Sequence, residues 1–158
     1  MIDCPTARSN RAALLREYEK VGELKGDSKK GAELFQQQCA TCHRFRGQGI
    51  ELGPDLGMVA NKSVEALLIA ILDPNQMAET RYAAYTSITK NGREIAGIIV
   101  TETASSITLR GAGGTDETIL RTELQAMPAS AVSLMPEGLE AALPPQAMAD
   151  LIAYISGE

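Results

Sequence analysis

Cys39, Cys42 and His43, in the pentapeptide "CATCH", are the residues of this chain best placed to do chemistry. Two thiols three apart, followed at once by an imidazole, admit three readings. A tetrahedral zinc site wants four protein donors, usually as two close pairs. Cys4 could be the fourth, but a second pair is missing, and adjacent Cys and His rarely both reach one ion. A redox dithiol wants its first Cys at a helix N-terminus, where the dipole supports a thiolate. Here the preceding "SKKGAELFQQQ" reads as a helix capped by Ser28, so Cys39 falls at the opposite, negative end. Haem attachment explains the spacing best: two thiols on one turn add to the two vinyl groups of one porphyrin, and the next residue, His43, lies beneath the iron.

His43 is the one histidine in the chain. Bis-histidine ligation within the chain is therefore excluded. The sixth position falls to a methionine, to a less usual donor such as Lys, Asn or Tyr, or to none.

Composition agrees with a haem-filled interior. Of 158 residues 44% are hydrophobic, yet aromatics are 4% and Trp is absent, so the core must be Leu, Ile, Ala and Met, or a group that is not protein. Fifteen basic against 20 acidic residues give a net charge of −5, which argues against a nucleic-acid groove or an anionic-membrane patch. No run of about eighteen apolar residues is present, so no membrane span is expected. "MIDCPTARSN" lacks the pattern of a secretion signal, which implies a cytosolic protein, a processed one or an excised piece.

The elements that must position the triplet follow from patterning. Residues 1–26 read as an N-terminal helical extension, with a stripe of Leu14, Tyr18 and Val21 in a helix over 9–24. Near the C-terminus, Pro144 and Pro145 suit a helix start, and Met148, Leu151, Ile152 and Ile155 share one face, which makes Met148 a packing residue. Between about 84 and 126 the period changes. "AYTSIT" and "REIAGIIVTE" flank the turn "KNG"; "SSITLR" and "ETILRTEL" flank "GAGGTD". These are four short antiparallel strands. The run from Ile95 to Val100 is apolar on both parities, so that strand should be central and covered on both faces.

"KGAELFQQQCATCHRF", "GPDL" and "PPQAMADLIAYISGE" resemble the first helix, the haem-binding turn, the loop after it and the last helix of class I cytochromes c; "SVEALLIAILDPNQM" resembles their middle helix. The resemblance implies a mainly α fold, a helical cytochrome core over 27–158 with a small inserted antiparallel sheet, hence α+β overall. It implies that Gly31 and Phe35 pack the first helix against the last. It implies one covalent haem c with His43 proximal, its ring held by the Pro54 carbonyl. It also places the ligand methionine in the loop before the last helix, where "SLMPEG" offers Met135. Met127 is the alternative; Met58 follows "GPDL" too closely, and Met77 could line the pocket. Arg81 and Tyr82, with Tyr85, Arg44 and Arg46, are candidate propionate partners.

With its inserted strands the whole pattern resembles, over about 10–157, a haem-binding domain of large secreted proteins of planctomycetes and verrucomicrobial relatives. That resemblance implies single-electron transfer with a redox partner protein or a fused dehydrogenase domain, in the periplasm or another compartment outside the cytoplasm, rather than catalysis by the chain itself. An open sixth site would instead suit a gas sensor or a peroxidase-like protein, although no second histidine offers acid–base help. The inserted sheet is a candidate docking surface, including for a homodimer, because an uncovered strand edge invites pairing.

Overall fold

A computed structural model describes residues 5–76, 80–130 and 133–157. Cys4 and Met77 lie outside the described residues. The described secondary structure comprises four α-helices and one antiparallel sheet of five strands. The chain divides into two compact units.

The helical unit holds α1 (Pro5–Tyr18), α2 (Ser28–Gln38), α3 (Val64–Leu72) and α4 (Pro145–Ser156). The N-terminal segment is not one helix to Leu24: after Tyr18 it tightens to a 3-10 turn, Glu19–Glu23, which buries Val21. The start of α2 also differs from expectation. Asp27, not Ser28, accepts from the amides of Lys29 and Lys30, at 3.0 and 3.4 Å. Its own amide donates to Asp150 Oδ1 at 2.8 Å, so the start of α2 is tied to α4.

α2 and α4 meet without a gap. A Cβ on Gly31 would stand 2.0 Å from the Asp150 carbonyl oxygen, and the Phe35 and Tyr154 rings lie 5.8 Å apart. Pro145 opens α4 where its missing N–H costs nothing, and Gly157 closes it with φ 86°. Met148, Leu151, Ile152 and Ile155 are all buried. α3 is capped by Ser63, whose Oγ accepts from Ala66 N at 3.3 Å, and buries Leu67, Leu68, Ile71 and Leu72.

The second unit joins residues 39–58 to the strands β1 (Ala84–Thr89), β2 (Glu94–Glu102), β3 (Ser106–Arg110), β4 (Asp116–Leu120) and β5 (Leu124–Ala126). The sheet order is β4-β3-β2-β1-β5. Four strands were expected; the segment read as one strand, "ETILRTEL", breaks at residues 121–123, and its two halves pair on opposite edges.

That topology forces the sheet to curl. Arg121 N donates to Ser105 O in the β2–β3 turn, and Glu123 O accepts from Lys90 N in the β1–β2 turn. Three residues, 121–123, therefore bridge the turns at opposite ends of β2, a strand that would be roughly 27 Å long if straight. β2 must bend back on itself. Bulges at Ile99–Thr101 and Ile88–Thr89 supply the bend. Gly97 adds a close approach by the Arg110 carbonyl oxygen, 2.3 Å from where a Cβ would sit.

Inside the curl Ile107, Leu109 and Ile119 form a buried cluster, flanked by Ile95, Ile99, Leu124 and Met127. β2 is central, as its apolar run implies, but it is not covered along both faces: Ile98 is buried while Ala96 is exposed. The outer face of β2 is covered around Ile98, at mid-strand, and open at Ala96.

Candidate functional site

The end of α2 leads directly into the CATCH turn. His43 N and Cys42 N both donate to the Cys39 carbonyl, at 2.8 and 3.0 Å, so the helix is prolonged by one turn beyond Gln38. Cys39 and Cys42 are free thiols, both half-buried. One turn of chain separates them, which suits attachment to neighbouring vinyl groups.

Residues 44–49 then reverse direction. Phe45 and Gln48 exchange backbone hydrogen bonds of 2.8 and 3.0 Å across Arg46 and Gly47, both with positive φ. The Arg46 guanidinium lies 5.0 Å from the centre of the Phe45 ring. The returning strand of the loop is pinned to the turn: Ile50 N donates to Ala40 O, and Leu52 N and Gly53 N both donate to Cys42 O. On its far side the loop meets the sheet, where Arg110 Nη1 donates to the Glu51 carbonyl at 3.3 Å and Ile50 packs on Gly114.

This loop delivers two backbone groups to His43. The Pro54 carbonyl oxygen lies 2.8 Å from Nδ1. The Gly53 backbone faces the ring so closely that a Cβ there would sit 2.7 Å from Cε1. A carbonyl can only accept, so Nδ1 carries the proton and Nε2 keeps its lone pair. Burial lowers the His43 pKa, partly opposed by the Pro54 hydrogen bond. The imidazole is thus held neutral, in the tautomer that can ligate a metal through Nε2.

The same geometry bears on the three readings. Burial, reinforced by Cys42, pushes the Cys39 thiol up to about 12, the reverse of what a thiolate-based dithiol requires. Among the described residues no group of three His, Cys, Asp or Glu side chains is arranged to hold a metal, as zinc would need. Two free thiols on one turn beside an imidazole with a free Nε2 fit a covalent porphyrin.

A family profile described as Cytochrome c matches residues 28–157. The chain belongs to the cytochrome c family. The family's cofactor is covalently attached haem c, one per domain. Curated relatives include cytochrome c of Arabidopsis thaliana, 40% identical over 55 residues, which are 34% of this chain and 49% of that protein. Cytochrome c of Cochliobolus lunatus is 38% identical over 58 residues, 35% of this chain and 54% of that protein. The chain thus spans about half the length of these relatives. A solved structure of the translational regulator Hfq aligns with 46% of the chain at a TM-score of 0.28 and 18% identity.

The other residues singled out from the sequence are placed as follows. Met135 is half-buried in irregular chain, its amide donating to Ser133 Oγ at 3.1 Å, and belongs to the same compact unit as the CATCH turn. Met127 packs against the cluster inside the curled sheet, and Met58 is 82% exposed. Arg81 and Tyr82 share a 3-10 turn, the guanidinium 4.7 Å from the ring centre, in that same unit. Tyr85 is half-buried on β1; Arg44 and Arg46 are exposed. Sequence reasoning overlooked Gly53. Its signal was its place in "GPDL", one residue before the proline that was singled out.

Proposed function

We propose that this chain is a monohaem c-type electron carrier in which Cys39 and Cys42 form the two thioethers, His43 is the proximal ligand and Met135 the distal one. The observation that carries the reading is the His43 ring, fixed by Pro54 and Gly53 with Nε2 free, one residue after two free thiols. Bound haem supplies a one-electron Fe(III)/Fe(II) couple. The protein's part is to hold that couple still. The Pro54 carbonyl would raise the basicity of His43 as a ligand, and a Met135 thioether would favour the reduced state of bound haem. Arg81 and Tyr82 serve the propionates in this reading.

The five-stranded sheet between α3 and α4 supports the finer resemblance to the haem-binding domain of planctomycete and verrucomicrobial secreted proteins. On that reading the chain works outside the cytoplasm, in the periplasm or its equivalent, and exchanges electrons with a docked or fused dehydrogenase. Among the described residues no helix is long and apolar enough to cross a membrane. Pairing of two copies along the sheet is the alternative partnership; the curl of the sheet, which shortens its open edges, weighs against it.

The test is a pair of visible spectra of the haem-loaded protein, oxidised and reduced, repeated for Met135→Ala. The weak charge-transfer band of methionine-ligated ferric haem, present in the unmutated protein and lost in the variant, is the expected result. A high-spin spectrum that shifts with CO in the unmutated protein would replace the carrier by a gas sensor or peroxidase-like protein with an open iron.

A further inference from the structure

The family match begins at residue 28, so α1 and the 3-10 turn after it are additions to the cytochrome c pattern. Their polar contacts concentrate on one segment. Arg11 Nη1 donates to Glu140 Oε1 at 2.9 Å and to the Leu72 carbonyl at 3.2 Å, and Arg11 Nη2 reaches Glu137 Oε2 at 3.4 Å. Tyr18 Oη donates to the Leu143 carbonyl at 2.9 Å and lies 3.4 Å from that of Glu140. Asn75, in the turn after α3, donates to the other Glu137 oxygen at 2.7 Å. Every one of these partners beyond Asn75 and Leu72 falls between residues 137 and 143, the stretch that leads from Met135 into α4.

That stretch is held on its own account by the fully buried Leu143 and by three short-range hydrogen bonds from the amides of Ala141, Ala142 and Leu143. Its one regular element is a three-residue 3-10 turn, Leu139–Ala141. Pro136, Pro144 and Pro145 have no amide to donate. The Glu140 carboxylate has one oxygen on Arg11 and the other buried without a hydrogen-bond partner among the described residues. Among the described residues it is the Arg11 guanidinium that offsets the desolvation cost of a carboxylate placed there. The pair makes sense as a fastener between α1 and this loop.

We infer that α1 is a positioning element for the distal iron ligand: Arg11 and Tyr18 fasten the Glu137–Leu143 segment, and so restrict the excursions of Met135, two residues before Glu137 in the chain. The inference rests on Met135 being that ligand. Arg11 and Tyr18 are positioning residues; neither touches the haem in this account. Met135 on a loosened loop would leave the iron for part of the time, and the competent fraction would fall accordingly.

The experiment compares haem-loaded wild type, Arg11→Ala, Tyr18→Phe, Met135→Ala and Arg16→Ala, the last on an exposed position of the same helix. The readouts are the methionine–iron band, the rate of CO binding to the ferrous protein, and the reduction potential. Arg11→Ala and Tyr18→Phe should weaken the band, raise the CO rate several-fold and lower the potential toward that of Met135→Ala, while Arg16→Ala matches wild type. A variant that only lowers the melting temperature, with band, CO rate and potential unchanged, overturns the inference. A wild type that lacks the band fails the ligand assignment instead, so the two failures are distinct. Hydrogen exchange on unmutated holoprotein needs no variant: the amides of Ala141, Ala142 and Leu143 should be protected as strongly as those of α1. Exchange from these three that is orders of magnitude faster than from α1 would also overturn it.

Discussion

The carbonyl oxygen of Pro54 lies 2.8 Å from Nδ1 of His43, and the backbone of Gly53 faces the same ring. One hydrogen bond and one contact thus fix both the tautomer and the tilt of the imidazole. Gly53 is the sensitive partner. In Gly53→Ala the new methyl meets Cε1 at 2.7 Å, Nδ1 at 3.1 Å and Nε2 at 3.3 Å, so the ring must move. We expect a stability loss of about 1–3 kcal/mol in denaturant titration, typical of overpacking. We also expect a changed low-spin spectrum in the haem-loaded protein. An unaltered spectrum and midpoint would show that the ring is not held there.

Gly31 makes the equivalent prediction for the helical unit. Its added Cβ would stand 2.0 Å from Asp150 O and 2.7 Å from Tyr154 Cβ, and a backbone oxygen cannot swing aside. Gly31→Ala should therefore separate α2 from α4 and cost about 3 kcal/mol or somewhat more, at the upper end of overpacking penalties. Gly22→Ala is the control, since its Cβ would meet only Val64 Cγ1 at an ordinary 3.8 Å. Equal melting temperatures for the two variants would contradict the close approach.

Which features were legible in the sequence follows from how local their causes are. The CATCH turn, the Pro145 start and Gly157 end of α4, and the "KNG" turn are each set by residues a few positions apart. Their spacing carries the information. The cap of α2 was misassigned because Asp27 and Ser28 are both good caps; the choice of Asp27 is steadied by Asp150, 123 positions away. The break between β4 and β5 was invisible for a similar reason. "RTE" contains no Gly, Pro or Asn, and its turn exists because residues 121 and 123 bond to two hairpin tips. The reach of Arg11 to Glu140, 129 positions apart, could be found only in the fold.

Ser87 tests the interior of the curled sheet. It pairs with Ile95, so it shares the inner face, is fully buried, and its Oγ has no hydrogen-bond partner among the described residues. A hydroxyl buried without a partner carries its desolvation cost unrelieved. Ser87→Ala should raise unfolding free energy by about 1 kcal/mol, with no change in the haem spectrum. A loss of stability of that size would mean instead that the hydroxyl is bonded in solution, to a water held in the core.

The pair Arg110–Asp116 gives a pH prediction. Arg110 donates through Nε and Nη2 to the two carboxylate oxygens at 2.6 and 2.8 Å, while Nη1 reaches Glu51 O in the CATCH loop. The hydrogen bonds from Arg110 hold the Asp116 carboxyl below its ordinary value of 3.8. The folded state therefore binds this proton less readily than the unfolded state does. Its stabilising effect is complete above about pH 4 and is lost as pH falls through the lowered value. Because the carboxylate is exposed, solvent and salt screen the pair and keep the effect small. Urea midpoints for wild type and Asp116→Asn should differ at pH 6 by more than they do at about pH 3, and high salt should narrow the gap. The gap should close from the wild-type side, by wild type losing stability in acid faster than the variant. A constant difference across that range would assign any effect of the substitution to packing rather than to charge.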